Sequence, residues 1–102
     1  MKEIELMESL GWKHTDYWNN RKMYELTEHC TYLLFEHNGS IGLYHDGKFH
    51  YYSLNSNDIE RLTDVFKARE EMMMHPKDYT LYDVQKNSEE IIYLMDDFEN
   101  RK

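Results

Sequence analysis

The chain has 102 residues, of which 40% are hydrophobic and 31% charged, and its net charge is −8 at pH 7. This composition is too apolar for a disordered chain, and its longest apolar runs fall far short of the roughly 20 residues of a membrane-spanning helix. The acidic balance also argues against direct nucleic-acid binding, which depends on basic patches that neutralise phosphates.

Length and the N-terminal residues predict one small, soluble, cytoplasmic domain. A chain of this size buries roughly two-thirds of its unfolded surface, enough for one core without a metal or a disulfide. Met1 to Glu5 include two acids where a signal peptide would carry an apolar run. We find no repeat, low-complexity tract or linker, so residues 1–102 are predicted to form a single α+β domain.

A short helix is predicted first, followed by an antiparallel sheet. Ile4, Met7 and Leu10 recur at helical spacing, which predicts a helix over about residues 2–10. Asn38-Gly39 and Asp46-Gly47 are strong hairpin signals, because both central residues of a type I′ turn need positive φ. Four or five strands are therefore expected in sequence order, over residues 12–18, 21–28, 31–37, 40–45 and 48–54.

The two tight turns also predict strand register. With two-residue loops, Phe35 lies opposite Gly42, and Gly42 lies opposite Tyr51. Side chains alternate between the faces of a sheet, so two partly apolar faces result. One face carries Leu33, Phe35, Tyr44, Phe49 and Tyr51 around Gly42. The other carries Tyr32, Leu34, Ile41, Leu43, Tyr52 and Leu54, mixed with Glu36, His45 and His50.

Two further helices are predicted to pack on this sheet. Asn57 with Glu60 forms a candidate capping box for a helix that Pro76 ends. Leu62 and Phe66 lie on its apolar stripe and are expected in the core. The last helix starts either near Thr80 or near Ser88, where Asn87 and Glu90 offer a second capping box. Its apolar stripe comprises Ile91, Leu94, Met95 and Phe98.

No pattern in the chain predicts catalysis or a cofactor. His45, His50 and Glu36 share a sheet face, but their spacing matches no zinc motif, so no metal site is predicted. His29 and Cys30 are neighbours in the chain, and on a strand they would point to opposite faces, which argues against a nucleophile–base pair. No glycine-rich phosphate loop, Walker or nucleophile-elbow motif is present. We therefore expect a non-enzymatic protein without catalytic, cofactor or metal residues.

The acidic end of the last helix is the leading candidate for function. Residues 89–99 contain five acids and no base. The apolar stripe directs the acids outward, and this predicts binding to a protein partner with a basic surface. The predicted partner-binding residues are Glu89, Glu90, Asp96, Asp97 and Glu99, with the aromatic sheet face of Phe35, Tyr44, Phe49 and Tyr51 as the alternative surface.

The composition suggests a mode of action and leaves two alternatives open. A short acidic chain without catalytic motifs suggests a small phage or mobile-element protein. The leading hypothesis is an inhibitor that mimics nucleic acid and occupies the basic nucleic-acid groove of a partner protein. The second hypothesis is a structural homodimer that associates through an apolar sheet face. The third is a small enzyme without a recognisable motif.

Overall fold

The computed structural model describes residues 1–101 and confirms the α+β class and the predicted order of elements. The chain divides into two compact units, Met1–Glu60 and the residues from Arg61 onward. The prediction of one domain over residues 1–102 stays a prediction. The elements are α1 Lys2–Ser9, β1 Lys13–Trp18, β2 Arg21–Glu25, β3 Leu33–His37, β4 Ser40–His45, β5 Lys48–His50, α2 Ser56–Met74 and α3 Leu81–Asn100, with a 3₁₀ turn at Pro76–Asp78 before α3.

The sheet is a five-stranded antiparallel meander with the strands in sequence order. Both predicted hairpin turns have positive φ at their two central residues, 52° and 81° at Asn38-Gly39 and 53° and 77° at Asp46-Gly47. Asn19-Asn20 does the same, with φ of 48° and 67°. The turn chemistry of the sequence therefore determined three of the four connections of the sheet.

The predicted register is confirmed for β3 and β4, where Phe35 pairs with Gly42. The expected pair of Gly42 with Tyr51 does not form, because β5 ends at His50. Beyond this residue the Tyr52 N–H turns back to the His50 carbonyl at 3.2 Å, and the ladder stops. The strands β2 and β3 are also shorter than predicted, since residues 26–32 form an irregular connection.

The cap of α2 lies two residues before the predicted position. The Asp58 N–H donates to Asn55 Oδ1 at 2.9 Å, and the Asn55 N–H donates to Asp58 Oδ2 at 3.0 Å. This reciprocal pair starts the helix at Ser56 and leaves Asn57 and Glu60 exposed on the helix itself. The Asn57–Glu60 capping box was therefore wrong, because Asn55 and Asp58 meet the same geometric requirement one half-turn earlier.

The earlier of the two predicted starts of α3 is the observed one. Thr80 caps the helix, and Thr80 and Asp83 form a reciprocal capping box with distances of 3.2 and 2.9 Å. Asn87 consequently lies inside the helix and is buried, so the predicted Asn87–Glu90 box was wrong. Within residues 1–101 no helix combines the length and the apolar character needed to cross a bilayer.

Buried side chains come from both faces of the sheet and from the helices. Leu34, Ile41 and Leu43 on one face are at most 1% exposed, as is Phe35 on the other. Leu62 and Phe66 on α2 are 0% and 2% exposed, which confirms their predicted burial. The remaining large buried side chains are Met7, Trp12, Met23, Tyr24, Leu54, Ile59, Val65, Ile91, Leu94 and Phe98.

Candidate functional site

The acidic side chains of α3 lie on its outer face. Six of the 20 residues of α3 are acidic, and Lys86 is the one basic residue in this helix. Residues seven apart on a helix lie nearly above one another, so two adjacent rows form. One row contains Glu89 and Asp96, and the other contains Glu90 and Asp97. All of these except the partly exposed Asp97 are exposed, and Glu99 is exposed on the opposite flank.

Two tyrosines share the outer face of α3 with these acids. Tyr82 precedes Glu89 by seven residues, and Tyr93 follows Glu89 by four. Their side chains are 70% and 67% exposed, although tyrosine has a large apolar ring. We call the set Tyr82, Glu89, Tyr93 and Asp96 the tyrosine–acid row. Neither tyrosine was among the predicted site residues. Tyr82 belongs to the helix only if the helix starts near Thr80, and Tyr93 carries no charge.

Some of the acids have polar partners. Arg101 lies just beyond the segment that lacks bases, and its Nε is 3.6 Å from Asp97 Oδ2 in an i, i+4 pair. The same guanidinium lies 4.9 Å from the centroid of the Phe98 ring. Gln85 donates to Glu89 Oε1 at 3.3 Å. Asp97 is therefore partly neutralised by a base that lies outside residues 89–99.

A groove of about 590 Å³ runs between α2 and α3 in the second unit. Its floor is apolar, because it consists of the side chains of Val65 and Leu94. These two residues are 8% and 3% exposed. The buried Asn87 donates from Nδ2 to the Val65 carbonyl at 3.1 Å and holds the two helices together beside the groove. Tyr93 and five charged residues complete the lining, namely Arg61, Asp64, Lys86, Glu89 and Glu90.

The four predicted aromatic residues of the sheet form one cluster. The ring of Phe35 meets the rings of Phe49 and Tyr51 edge-on, with centroids 5.1 and 5.2 Å apart. Tyr44 lies 4.8 Å from Phe49. The structure adds Trp18, whose ring centroid is 5.2 Å from that of Tyr44. We call this set the aromatic face; Trp18 and Tyr51 are 37% and 47% exposed on it.

Gly42 makes room for the aromatic face. A Cβ atom built on Gly42 would lie 2.4 Å from Phe35 Cζ and 2.6 Å from the His50 carbonyl oxygen. Real Cβ atoms do not approach other atoms so closely. The glycine therefore allows the Phe35 ring to lie across β4 and to meet the rings from β5.

Arg21 lies over the aromatic face and was not singled out from the sequence. Its guanidinium is 4.4 Å from the Phe49 centroid and 5.5 Å from that of Tyr51. Its Nε donates to the Tyr51 hydroxyl at 2.6 Å, and its Nη2 donates to the same oxygen. In a flat sheet β2 and β5 would be about 14 Å apart, three strand spacings. The contact therefore reaches across the two strands that lie between β2 and β5.

The two histidines that were considered as metal ligands each stack on a tyrosine ring. His45 stacks on Tyr32 with centroids 3.8 Å apart, and His50 stacks on Tyr52 at 5.3 Å. In the part of the chain that the structure describes, no three His, Cys, Asp or Glu side chains are placed to hold a metal ion. The Cys30 thiol is partly buried and donates to the Tyr32 carbonyl at 3.5 Å.

Comparison with protein-family models, with curated proteins and with solved structures finds no match for this chain. Two surfaces thus stand as candidates on geometry alone, the outer face of α3 with its groove and the aromatic face of the sheet.

Proposed function

We propose that this protein is a small, non-enzymatic binding module of the cytoplasm that engages a basic protein surface through the outer face of α3. The observation that carries the proposal is the tyrosine–acid row. It combines two tyrosines that are 70% and 67% exposed with carboxylates that alternate between them along one line of the helix.

The chemistry of this row suits a surface rich in lysine and arginine. Carboxylates attract such a partner over distances set by the salt concentration and accelerate the encounter. Exposed tyrosine rings supply apolar contact area and stack with guanidinium groups. Acids near the C-terminal end of a helix oppose its dipole at about 0.3–1 kcal/mol each. Asp96 lies near this end of α3, and a basic partner would offset the cost.

A nucleic-acid-binding groove is the basic surface that we propose as the target. A protein that binds phosphates presents clustered lysine and arginine side chains, which the acids of α3 would contact in place of nucleic acid. The module would then act as an inhibitor, of the kind that small phage-like proteins provide. Its own net charge of −8 disfavours binding to nucleic acid directly.

Charge reversal tests the proposal. The partner is first captured from lysate, and its affinity is then measured at several salt concentrations for Asp96→Lys/Asp97→Lys. We expect affinity to fall by about tenfold or more and its salt dependence to weaken, because attraction becomes repulsion at the interface. Circular dichroism establishes that each variant is folded.

A matched control separates the α3 face from total charge. Glu5→Lys/Glu28→Lys reverses two exposed acids of the first unit and changes the net charge by the same amount. The proposal requires this control to retain most of the affinity. Equal losses in both variants, or no loss in either, would remove α3 from the interface.

The aromatic face supports a second candidate, a homodimer. Trp18, Tyr51 and Arg21 are the residue types that carry most energy at protein interfaces, and they lie together on this face. Analytical ultracentrifugation would give twice the monomer mass for a dimer. Trp18→Ala would then shift the mass towards the monomer, whereas a wild-type chain that sediments as a monomer would remove this candidate.

A further inference from the structure

The charges around the groove between α2 and α3 are not paired with one another. Arg61 and Lys86 line it with Asp64, Glu89 and Glu90, and within residues 1–101 no ion pair joins any of these five side chains. Three carboxylates and two cations leave a net negative charge at the rim. Such a rim is complementary to a ligand with a positive group.

The groove combines an apolar floor with a charged rim, which matches a side chain with an apolar stem and a charged head. Val65 and Leu94 form a floor that apolar methylene groups can cover. Lysine and arginine both bury their stems on apolar surface while the charged head stays at the rim. The volume of about 590 Å³ lies within the range of protein ligand pockets, roughly 300–1,000 Å³, and leaves room for neighbouring residues of a partner.

Tyr93 is the lining residue whose ring would interact differently with arginine and with lysine. Its ring is 67% exposed and lines the groove beside Glu89 and Glu90. A guanidinium group stacks on an aromatic face and binds carboxylates through two parallel hydrogen bonds, whereas an ammonium group is a strongly hydrated point charge. The lining therefore favours arginine over lysine.

We propose that the groove receives an arginine side chain of the partner protein. This inference rests on the proposed function, and it names the residue type on which recognition depends. The arginine stem covers Val65 and Leu94, and its guanidinium lies between Tyr93 and the carboxylates of Asp64 and Glu90. Arg61 and Lys86 at the rim donate to backbone carbonyls of the partner next to that arginine.

The test compares two synthetic peptides by isothermal titration calorimetry, one of alternating glycine and arginine and one of alternating glycine and lysine. We expect the intact wild-type chain to bind the arginine peptide about tenfold more tightly, because only guanidinium gains the stacking and the paired hydrogen bonds. Asp64→Asn and Tyr93→Leu should each reduce that preference about threefold or more.

Two further variants separate the groove from general effects. Tyr93→Phe keeps the ring and should keep the arginine preference. Glu5→Gln removes one exposed carboxylate on α1, the same charge change as Asp64→Asn, and should leave the preference unaltered. Equal affinity of the wild type for both peptides, or an unchanged preference in folded Asp64→Asn, would overturn the arginine site.

The same measurements distinguish this inference from the proposed function. If both peptides bind equally and Asp96→Lys/Asp97→Lys weakens both, the α3 face binds basic partners and the arginine site is wrong. If the preference exists and depends on Asp64 but not on Asp96 and Asp97, the groove is the site and the outer face is not. If neither peptide binds the wild type at low salt, both proposals fail.

Discussion

The side-chain Nδ2 of Asn87 donates a hydrogen bond of 3.1 Å to the backbone carbonyl of Val65, although 22 residues separate them. Asn87 is 6% exposed, and Val65 lies inside α2, where helical carbonyls already accept one N–H each. The asparagine therefore uses the second lone pair of a helical carbonyl. This bond sets the position of α3 along α2 at the level of the groove.

Loss of this bond should lower stability measurably. Asn87→Ala removes a buried hydrogen bond, which is worth about 0.5–1.5 kcal/mol in the free energy of unfolding. Urea denaturation followed by circular dichroism measures this difference. Gln85→Ala, two residues earlier on the exposed side of α3, is the control and should change stability by less than about 0.5 kcal/mol. Equal effects of the two variants would mean that the Asn87 bond contributes little.

The observed cap of α2 makes a prediction about two neighbouring asparagines. Asn55→Ala should reduce the free energy of unfolding by about 0.5–2 kcal/mol, because its Oδ1 accepts the Asp58 N–H at the start of the helix. Asn57→Ala is the matched control and should have little effect, since Asn57 is exposed inside the first turn. The reverse order in thermal melts would restore Asn57 as the cap.

Gly42 should be intolerant of a side chain because of the Phe35 ring and the His50 carbonyl oxygen. Gly42→Ala places a methyl group 2.4 Å from the Phe35 ring, and overpacking of this kind costs about 1–3 kcal/mol. A double-mutant cycle with Phe35→Leu isolates this clash, because the shorter side chain leaves part of the space. We expect Gly42→Ala to cost less when Phe35 is leucine. Strict additivity of the two changes would contradict the ring-over-glycine contact.

Phe66 should contribute a large share of the stability. Its side chain is 2% exposed, and truncation of a buried phenylalanine to alanine costs about 3–5 kcal/mol. A small domain has a total of only about 5–15 kcal/mol, so Phe66→Ala should melt at a far lower temperature. Lys67→Ala at the exposed neighbouring position should melt like the wild type. A Phe66→Ala chain that melts with the wild type would refute its place in the core.

Local chemistry allowed much of the fold to be predicted from sequence alone. Asn38-Gly39 and Asp46-Gly47 need positive φ wherever they occur, so the turns and the β3–β4 register followed without knowledge of the rest of the chain. The stripe that contains Leu62 and Phe66 likewise depends only on helical periodicity. The outward position of the acids of α3 followed from the same periodicity.

For both α2 and α3 the sequence contains two equivalent capping signals, and the sequence alone does not decide which one caps the helix. Asn55 with Asp58 and Asn57 with Glu60 are both acceptable caps, and Thr80 and Asn87 both precede an acid by three residues. In each helix the tertiary environment determines which residue is the cap. Asn87 is buried against the Val65 carbonyl inside the second unit, and an N-cap at that position would have started α3 about two turns too late.

The placement of Arg21 on the aromatic face was decided by tertiary structure alone. The chain between β2 and β3 is an irregular connection over residues 26–32, so no turn rule relates Met23 to its partner Phe35. Even with that register known, two strands lie between Arg21 on β2 and Phe49 on β5, so strand pairing alone does not predict their contact. The contact depends on how the side chains of the aromatic face, which come from several strands, pack against one another. Such packing is a property of the whole sheet, and no segment of the sequence encodes it by itself.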